Sequence, residues 1–152
     1  MRTVKFRGKD CNGNWHYGSL IQYKSGDVAI ANFERYGNEC STMSRIEVDP
    51  DTIGEFTGLT DKNGKEIYEG DILLWTRKNV HIEGRPREDF SDKCIVYYDN
   101  GKRAFQFRYE LRCGACVGYL DFDDDRADES FVEVIGNVFD DSGLIRKGGQ
   151  DE

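Results

Sequence analysis

Residues 56–75 read FTGLTDKNGKEIYEGDILLW, and the Asn63-Gly64 pair inside this stretch decides how the rest of the chain is read. It stands between EFTGLT and KEIYEGDILLW, two segments rich in aromatic and β-branched residues. Asn and Gly both tolerate positive φ, so the pair predicts a type I′ turn, whose twist matches two antiparallel strands. The same dipeptide recurs at Asn12-Gly13 and Asn100-Gly101, and three β-hairpins follow.

In the first, TVKFR joins WHYGSLIQ, and alternation predicts Val4 and Phe6 on one face answered by Trp15 and Tyr17, with Lys5 and Arg7 on the other. In the third, CIVYYD joins KRAFQFRYELR, where Phe105, Phe107, Tyr109 and Leu111 alternate with Ala104, Gln106, Arg108 and Arg112. A final run, FVEVIGNVF at 131–139, is apolar at both parities, as in a strand covered on two sides, and Gly136 marks a bulge or tight crossing. The polar span 76–92, with Gly84 and Pro86, predicts a long loop. Apolar spacing of three and four is missing and 17 glycines interrupt the chain, so only short helical turns are expected, around residues 126–130.

The fold class is therefore mainly β, antiparallel hairpins with an SH3-like or half-open barrel part. At 152 residues the chain suits one domain, since an independent core needs about 100 to 150 residues. Its expected organisation is a single domain over 1–144, with an N-terminal β-subdomain at 1–50, a barrel-like part at 55–140 and a disordered tail at 145–152. Nine Phe and eight Tyr supply core surface despite 33% charged residues. No run approaches the roughly 18 apolar residues of a membrane helix, and the start has no apolar leader, so a cytoplasmic protein with no membrane partner is expected. The net charge is −8, whereas residues 1–50 carry seven Lys and Arg against six Asp and Glu. So acidic a chain is not built to bind duplex DNA.

The stretch from Phe56 to Trp75 resembles the signature of the YopX family of phage and prophage proteins. MRTVKFRGKD with WHYGSLIQ near the beginning and VEVIGNVFDD near the end extend the resemblance from Met1 to about Leu144. Phe139 to Leu144 depart from the family's usual Pro-containing close. The resemblance implies a β-rich, partly barrel-like fold, self-association and a bacterial cytoplasmic setting, but no reaction and no transferable site residues. The shared motifs read as structural: Asn63-Gly64 as a turn, Gly70-Asp71 as the start of a strand, and Ile67, Tyr68, Ile72 and Leu74 as core.

Five cysteines, Cys11, Cys40, Cys94, Cys113 and Cys116, are odd in number and suggest reduced thiols. Cys113-Gly-Ala-Cys116 supplies half of a tetrahedral zinc site, with Cys94, Cys40, His16 or His81 as conceivable completions, but no second spaced pair exists. Structural thiols are the preferred reading, with no cofactor. Asp121, Asp123 and Asp125 have the spacing that begins a calcium loop, yet Arg126 stands where Gly is needed and Val132 where the bidentate Glu belongs. His16 and His81 belong to no nucleophile motif, and Glu66, Glu69 and Asp71 read as solvating acids beside a turn. The leading expectation is a non-enzymatic interaction module that self-assembles or binds a host or phage protein. Two alternatives stand beside it. One is single-strand nucleic-acid binding on an aromatic sheet face, for which Arg103 beside Phe105, Phe107 and Tyr109 is the candidate. The other is a small enzyme with a site between subunits.

Overall fold

A computed structural model describes residues 3–36, 40–111, 114–119 and 126–145, with the backbone alone at 34–36, 40–42, 109–111 and 114–119. The mainly β expectation is borne out. The chain forms two compact units, 1–58 and 59–152.

In the first unit, β1 (Phe6–Lys9), β2 (Trp15–Gln22), β3 (Val28–Tyr36), β4 (Cys40–Val48) and the beginning of β5 (Gly54–Thr60) pair antiparallel in the order β4-β3-β2-β1-β5. Its core consists of Val28, Ile30 and Val48, with Phe6, Leu20 and Ile53 packed against them. A 3-10 turn at Pro50–Thr52 leads into β5. Asp49 initiates it by accepting the N–H of Asp51 at 3.0 Å, and Pro50 has no N–H to leave unpaired. The second 3-10 turn lies at Ser142–Leu144. The expected helical turn near 126–130 is instead an irregular turn, and its last two residues already belong to a strand.

The second unit begins with the end of β5 and the short β6 (Glu66–Tyr68). Its five-stranded sheet contains β7 (Asp71–Val80), β8 (Glu88–Asp99), β9 (Ala104–Leu111), β10 (Gly114–Tyr119) and β11 (Glu129–Asn137), in the order β10-β9-β8-β7-β11. β10 and β11 are its two ends, so this sheet does not close into a barrel. Ile67, Leu73, Trp75, Cys94, Val96, Phe107 and Val132 form the core. Trp75 and Phe107 meet edge to face, with ring centroids 5.3 Å apart. Ile72 and Tyr68 are buried as expected, whereas Leu74 is half-buried and Leu73 takes the core position.

Most of the expected loop at 76–92 is strand, since β7 runs to Val80 and β8 starts at Glu88. The polar side chains that suggested a loop face one another across the ladder: Arg77 binds Asp92, and Lys78 binds Asp89 at 2.7 Å. The bulge expected at Gly136 is present, where the β11 register shifts between Val134 and Gly136. β11 lies at one end of the sheet, with Val132 buried and most of its other residues half-buried. Its outer edge is met by the turn before β6: Lys62 N–H donates to Val132 C=O at 3.0 Å, and Val134 N–H to Asp61 Oδ2 at 3.1 Å.

None of the three Asn-Gly turns is type I′, because Asn12, Asn63 and Asn100 all lack positive φ. Asp61 C=O accepts Gly64 N–H at 2.9 Å, and Asp61 N–H donates to Lys65 C=O at 2.8 Å. The result is a three-residue loop in which Gly64, with φ of 80°, takes the left-handed bulge position. Asp10, Gly13 and Asn14 repeat it. In each loop the aspartate decides the outcome: Asp10 Oδ1 accepts N–H from Asn12 and Asn14, and Asp61 Oδ1 from Asn63 and Lys65, at 2.8 and 2.9 Å in both cases. The third turn spans four residues, and the left-handed position falls to Arg103, with φ of 53°.

A Cβ at Gly64 would meet no atom within 4 Å, so Gly64→Ala tests backbone conformation alone. It should lower stability by about 1 kcal/mol, or about 2–4 °C in melting temperature. Gly101→Ala, at ordinary φ, should cost less. Equal thermal melts for the two variants would remove Gly64 from its assigned conformation.

Candidate functional site

The loop at Asp10–Asn14 sets the β1–β2 register and with it the composition of one sheet face. Phe6 pairs with Gly18, Arg7 with Tyr17, Gly8 with His16 and Lys9 with Trp15. Cross-strand partners share a face, so Trp15 and Tyr17 stand with Lys5, Arg7 and Lys9 rather than with Val4 and Phe6. The expectation was one residue out because a three-residue loop with a bulge replaces a two-residue turn, which moves every side chain of the second strand to the other face.

On this face the Arg7 guanidinium lies 4.8 Å from the Trp15 ring centre, the Lys9 ammonium 5.6 Å from the same ring, and the Lys5 ammonium 5.9 Å from that of Tyr17. Arg7 is buried, Lys5, Lys9 and Trp15 are half-buried, and Tyr17 is 41% exposed. β3 continues the surface. Ser19 pairs with Ala31, and two residues on, Phe33 stands directly opposite Met43 of β4. Phe33 is 64% and Met43 51% exposed. The β3–β4 ladder continues to Tyr36 and Cys40 while β2 is paired to β3 only as far as Ala31, so the hairpin end is a two-stranded ribbon.

On the opposite face His16 Nε2 lies 2.9 Å from Asp10 Oδ2. His16, the N–H groups of Asn14 and Asn12 and the Asn14 amide hold the Asp10 carboxyl far below the usual carboxylate range, against a smaller opposing effect of burial. The pair fixes a turn, and no third reactive group joins it in the described hydrogen bonds. Asp two residues before Asn-Gly was the available signal for this arrangement.

The other sequence candidates are dispersed. Cys113 and Asp121, Asp123 and Asp125 lie outside the described residues, as does Arg112, and so do the side chains of Cys116 and Cys40. Cys11 is exposed, whereas Cys94 is buried, and burial together with the nearby Asp92 carboxylate pushes its thiol up to about 12. Among the described residues no three His, Cys, Asp or Glu side chains are grouped to hold a metal. His81 is exposed, and its N–H donates to Arg126 C=O.

The three acids of the signature are tied to the fold rather than solvating a turn. Glu66 accepts the Tyr68 hydroxyl at 2.7 Å, Glu69 accepts Tyr98 N–H at 3.2 Å, and buried Asp71 accepts Tyr68 N–H at 2.8 Å. Phe107 is core and Phe105 packs edge to face on Tyr98. The β9 aromatics therefore do not form an open platform, and Arg103 belongs to the loop; the Tyr109 side chain lies outside the described residues.

Open antiparallel sheets with aspartate-anchored hairpin loops define an all-β protein whose signature residues are structural. The family model described as YopX protein matches residues 5–146, and the chain belongs to the YopX family. In fold it is similar to protein EF1440 from Enterococcus faecalis, at 21% identity and a TM-score of 0.51 over 96% of this chain and 100% of that one. No curated protein matches the chain. No helix among the described residues is long and apolar enough to cross a membrane.

Because its carboxyl pKa is depressed, the Asp10 contribution is complete above the ordinary aspartate value of about 3.9 and is lost as pH falls below it toward the folded value. Asp10→Asn should therefore lower stability at neutral pH and flatten its decline below about pH 4. Urea midpoints measured from pH 2 to 7 check this, and parallel profiles for the two proteins would exclude the assigned role.

Proposed function

We propose that the chain is a non-enzymatic interaction module of phage or prophage origin, working in the bacterial cytoplasm through self-assembly or a protein partner. The observation that supports this reading is the β3–β4 ribbon with Phe33 opposite Met43, both more than half exposed. A two-stranded ribbon is marginal in water by itself. Two large apolar side chains at its end gain by covering one another on a second copy, at about 25 cal/mol for each Å² removed from water. A homo-oligomer built on this ribbon fits the family's tendency to self-associate. The signature residues around Asn63-Gly64 and Gly70-Asp71 satisfy backbone groups and fill the core, which leaves them no evident chemistry to perform. Neither the family's description nor the name of the similar structure carries an activity.

Light scattering on the whole chain tests the reading. A species larger than the monomer is expected at micromolar concentration, and Phe33→Ser with Met43→Ser should shift it to monomer without changing the thermal midpoint by more than about 2 °C. A wild-type monomer at high micromolar concentration would overturn self-assembly through this ribbon.

A further inference from the structure

The three Asn-Gly pairs share a chemistry that neither the fold nor assembly through the ribbon uses. Glycine has no Cβ to crowd its nitrogen, so that nitrogen can reach the side-chain Cγ of the preceding asparagine. We propose that Asn100 is a site of spontaneous deamidation, and that the loops at Asp10–Asn14 and Asp61–Lys65 protect Asn12 and Asn63 from the same reaction.

The reaction takes only water and hydroxide. Hydroxide removes the Gly101 N–H proton, the nitrogen forms a bond to Asn100 Cγ, and the Cγ–Nδ2 bond breaks, leaving a succinimide. The departing amide takes a proton from water and leaves as ammonia, which restores the hydroxide. Water then opens the ring at either carbonyl and gives aspartate or isoaspartate. All three asparagines and their glycines are exposed, and none of the described hydrogen bonds involves the carboxamide of Asn12, Asn63 or Asn100. The electrophile is thus equally accessible at each site. What differs is how readily the glycine nitrogen can be brought in line with it.

In the two bulged loops that nitrogen is held by the main chain. Gly13 N–H donates to Asp10 C=O at 3.0 Å and Gly64 N–H to Asp61 C=O at 2.9 Å. The asparagines are held as well, since Asn12 N–H and Asn63 N–H donate to Oδ1 of the same aspartates at 2.8 Å. Turning either glycine nitrogen toward Cγ therefore opens the loop. At Asn63 the opening also strains the hold of Asp61 on Lys65 and Val134, and at Asn12 that of Asp10 on Asn14 and His16.

Asn100 is tethered differently. Its own N–H enters none of the described hydrogen bonds. Gly101 N–H donates to a side chain, Asp99 Oδ1 at 2.8 Å, and rotation of that one side chain releases it. The β8–β9 ladder ends at Asp99 opposite Ala104, so the attack disturbs no strand pairing. The product sets a second carboxylate beside that of Asp99, and isoaspartate adds a methylene to the main chain of the loop. Both changes loosen the tip of the hairpin.

Peptide mass mapping of the whole chain, aged in mildly alkaline buffer with and without urea, tests the proposal. Relative to urea, the native protein should react at least about ten-fold more slowly at Asn12 and Asn63, but less than about three-fold more slowly at Asn100. Asp10→Ala should raise the native rate at Asn12 at least about three-fold and leave Asn100 unchanged. Should that variant not fold, the wild-type ratios decide alone. Protection of Asn100 equal to that of Asn63 would overturn the proposal, as would a native protein in which Asn12 or Asn63 reacts faster than Asn100. An unchanged Asn12 rate in folded Asp10→Ala would overturn the protective role of the loop.

Discussion

The second unit is organised around one carboxylate. Asp61 is 7% exposed, and withdrawal from water by itself would raise its pKa. Three backbone N–H groups, from Val134, Lys65 and Asn63, with the charge of Lys65, outweigh that effect and hold it ionised below the ordinary value. One oxygen shapes the loop between β5 and β6, and the other reaches an amide 73 residues away on β11. A buried charge is tolerated only when it is hydrogen-bonded, so the loop, the hairpin and the end strand must all be in place for Asp61 to be stable where it is. Gly70 and Asp71 extend the same logic: Gly70 N–H donates to Val96 C=O, Gly70 C=O accepts Val138 N–H, and Asp71 accepts Tyr68 N–H. Polar groups whose likes would satisfy themselves inside a helix are paired here by specific side chains and long-range strands.

The first unit shows the same loop serving a different end. Asp10 holds the chain in a three-residue bulged loop, and that loop length determines which side of the sheet receives Trp15 and Tyr17. Had the turn held two residues, the rings would have joined Phe6 over the core of Val28, Ile30 and Val48, and the cations would have faced away from them. A carboxylate tied to His16 on one side of the sheet thus governs the chemistry displayed on the other. The ribbon end of β3 and β4 carries its apolar pair on this same displayed side, since Phe33 alternates in step with Ala31 and through it with Ser19 and Tyr17.

Much of the fold was legible because Asn-Gly between alternating segments is a strong local signal, and the hairpins stand where it put them. The turn type was not, since the dipeptide is compatible with both loops and the deciding residue is the aspartate two positions earlier. The one-residue error passed directly into the assignment of faces, which is how the cation and aromatic surface on β1 and β2 escaped a reading that looked for it around Phe105. Residues 76–92 were misread for a related reason. Their side chains are polar because they pair across strands, and polarity alone does not separate a loop from an ion-paired ladder. Glu66, Glu69 and Asp71 looked like surface acids; only the tertiary structure brings Tyr98 N–H to Glu69, whereas Glu66 and Asp71 bind Tyr68 within two or three residues of themselves, a local pairing that the sequence pattern does not announce. Barrel closure depends on how the last strands meet, and no local pattern encodes it.

The contact between Asp61 and Val134 also bears on the order in which a nascent chain can fold. The loop from Asp61 to Lys65 closes locally, as soon as some five residues are available, but the second oxygen of the same carboxylate acquires its partner only after β7 to β10 have been made. A carboxylate half satisfied can remain in water and wait; one half satisfied and buried cannot. The second unit is therefore obliged to stay open around β6 during synthesis and to consolidate late, when β11 arrives, whereas the strands of the first unit follow one another with short connections and can pair as they emerge. Long-range closure of this kind slows folding, and it makes the final strand the step that commits the unit to its native form.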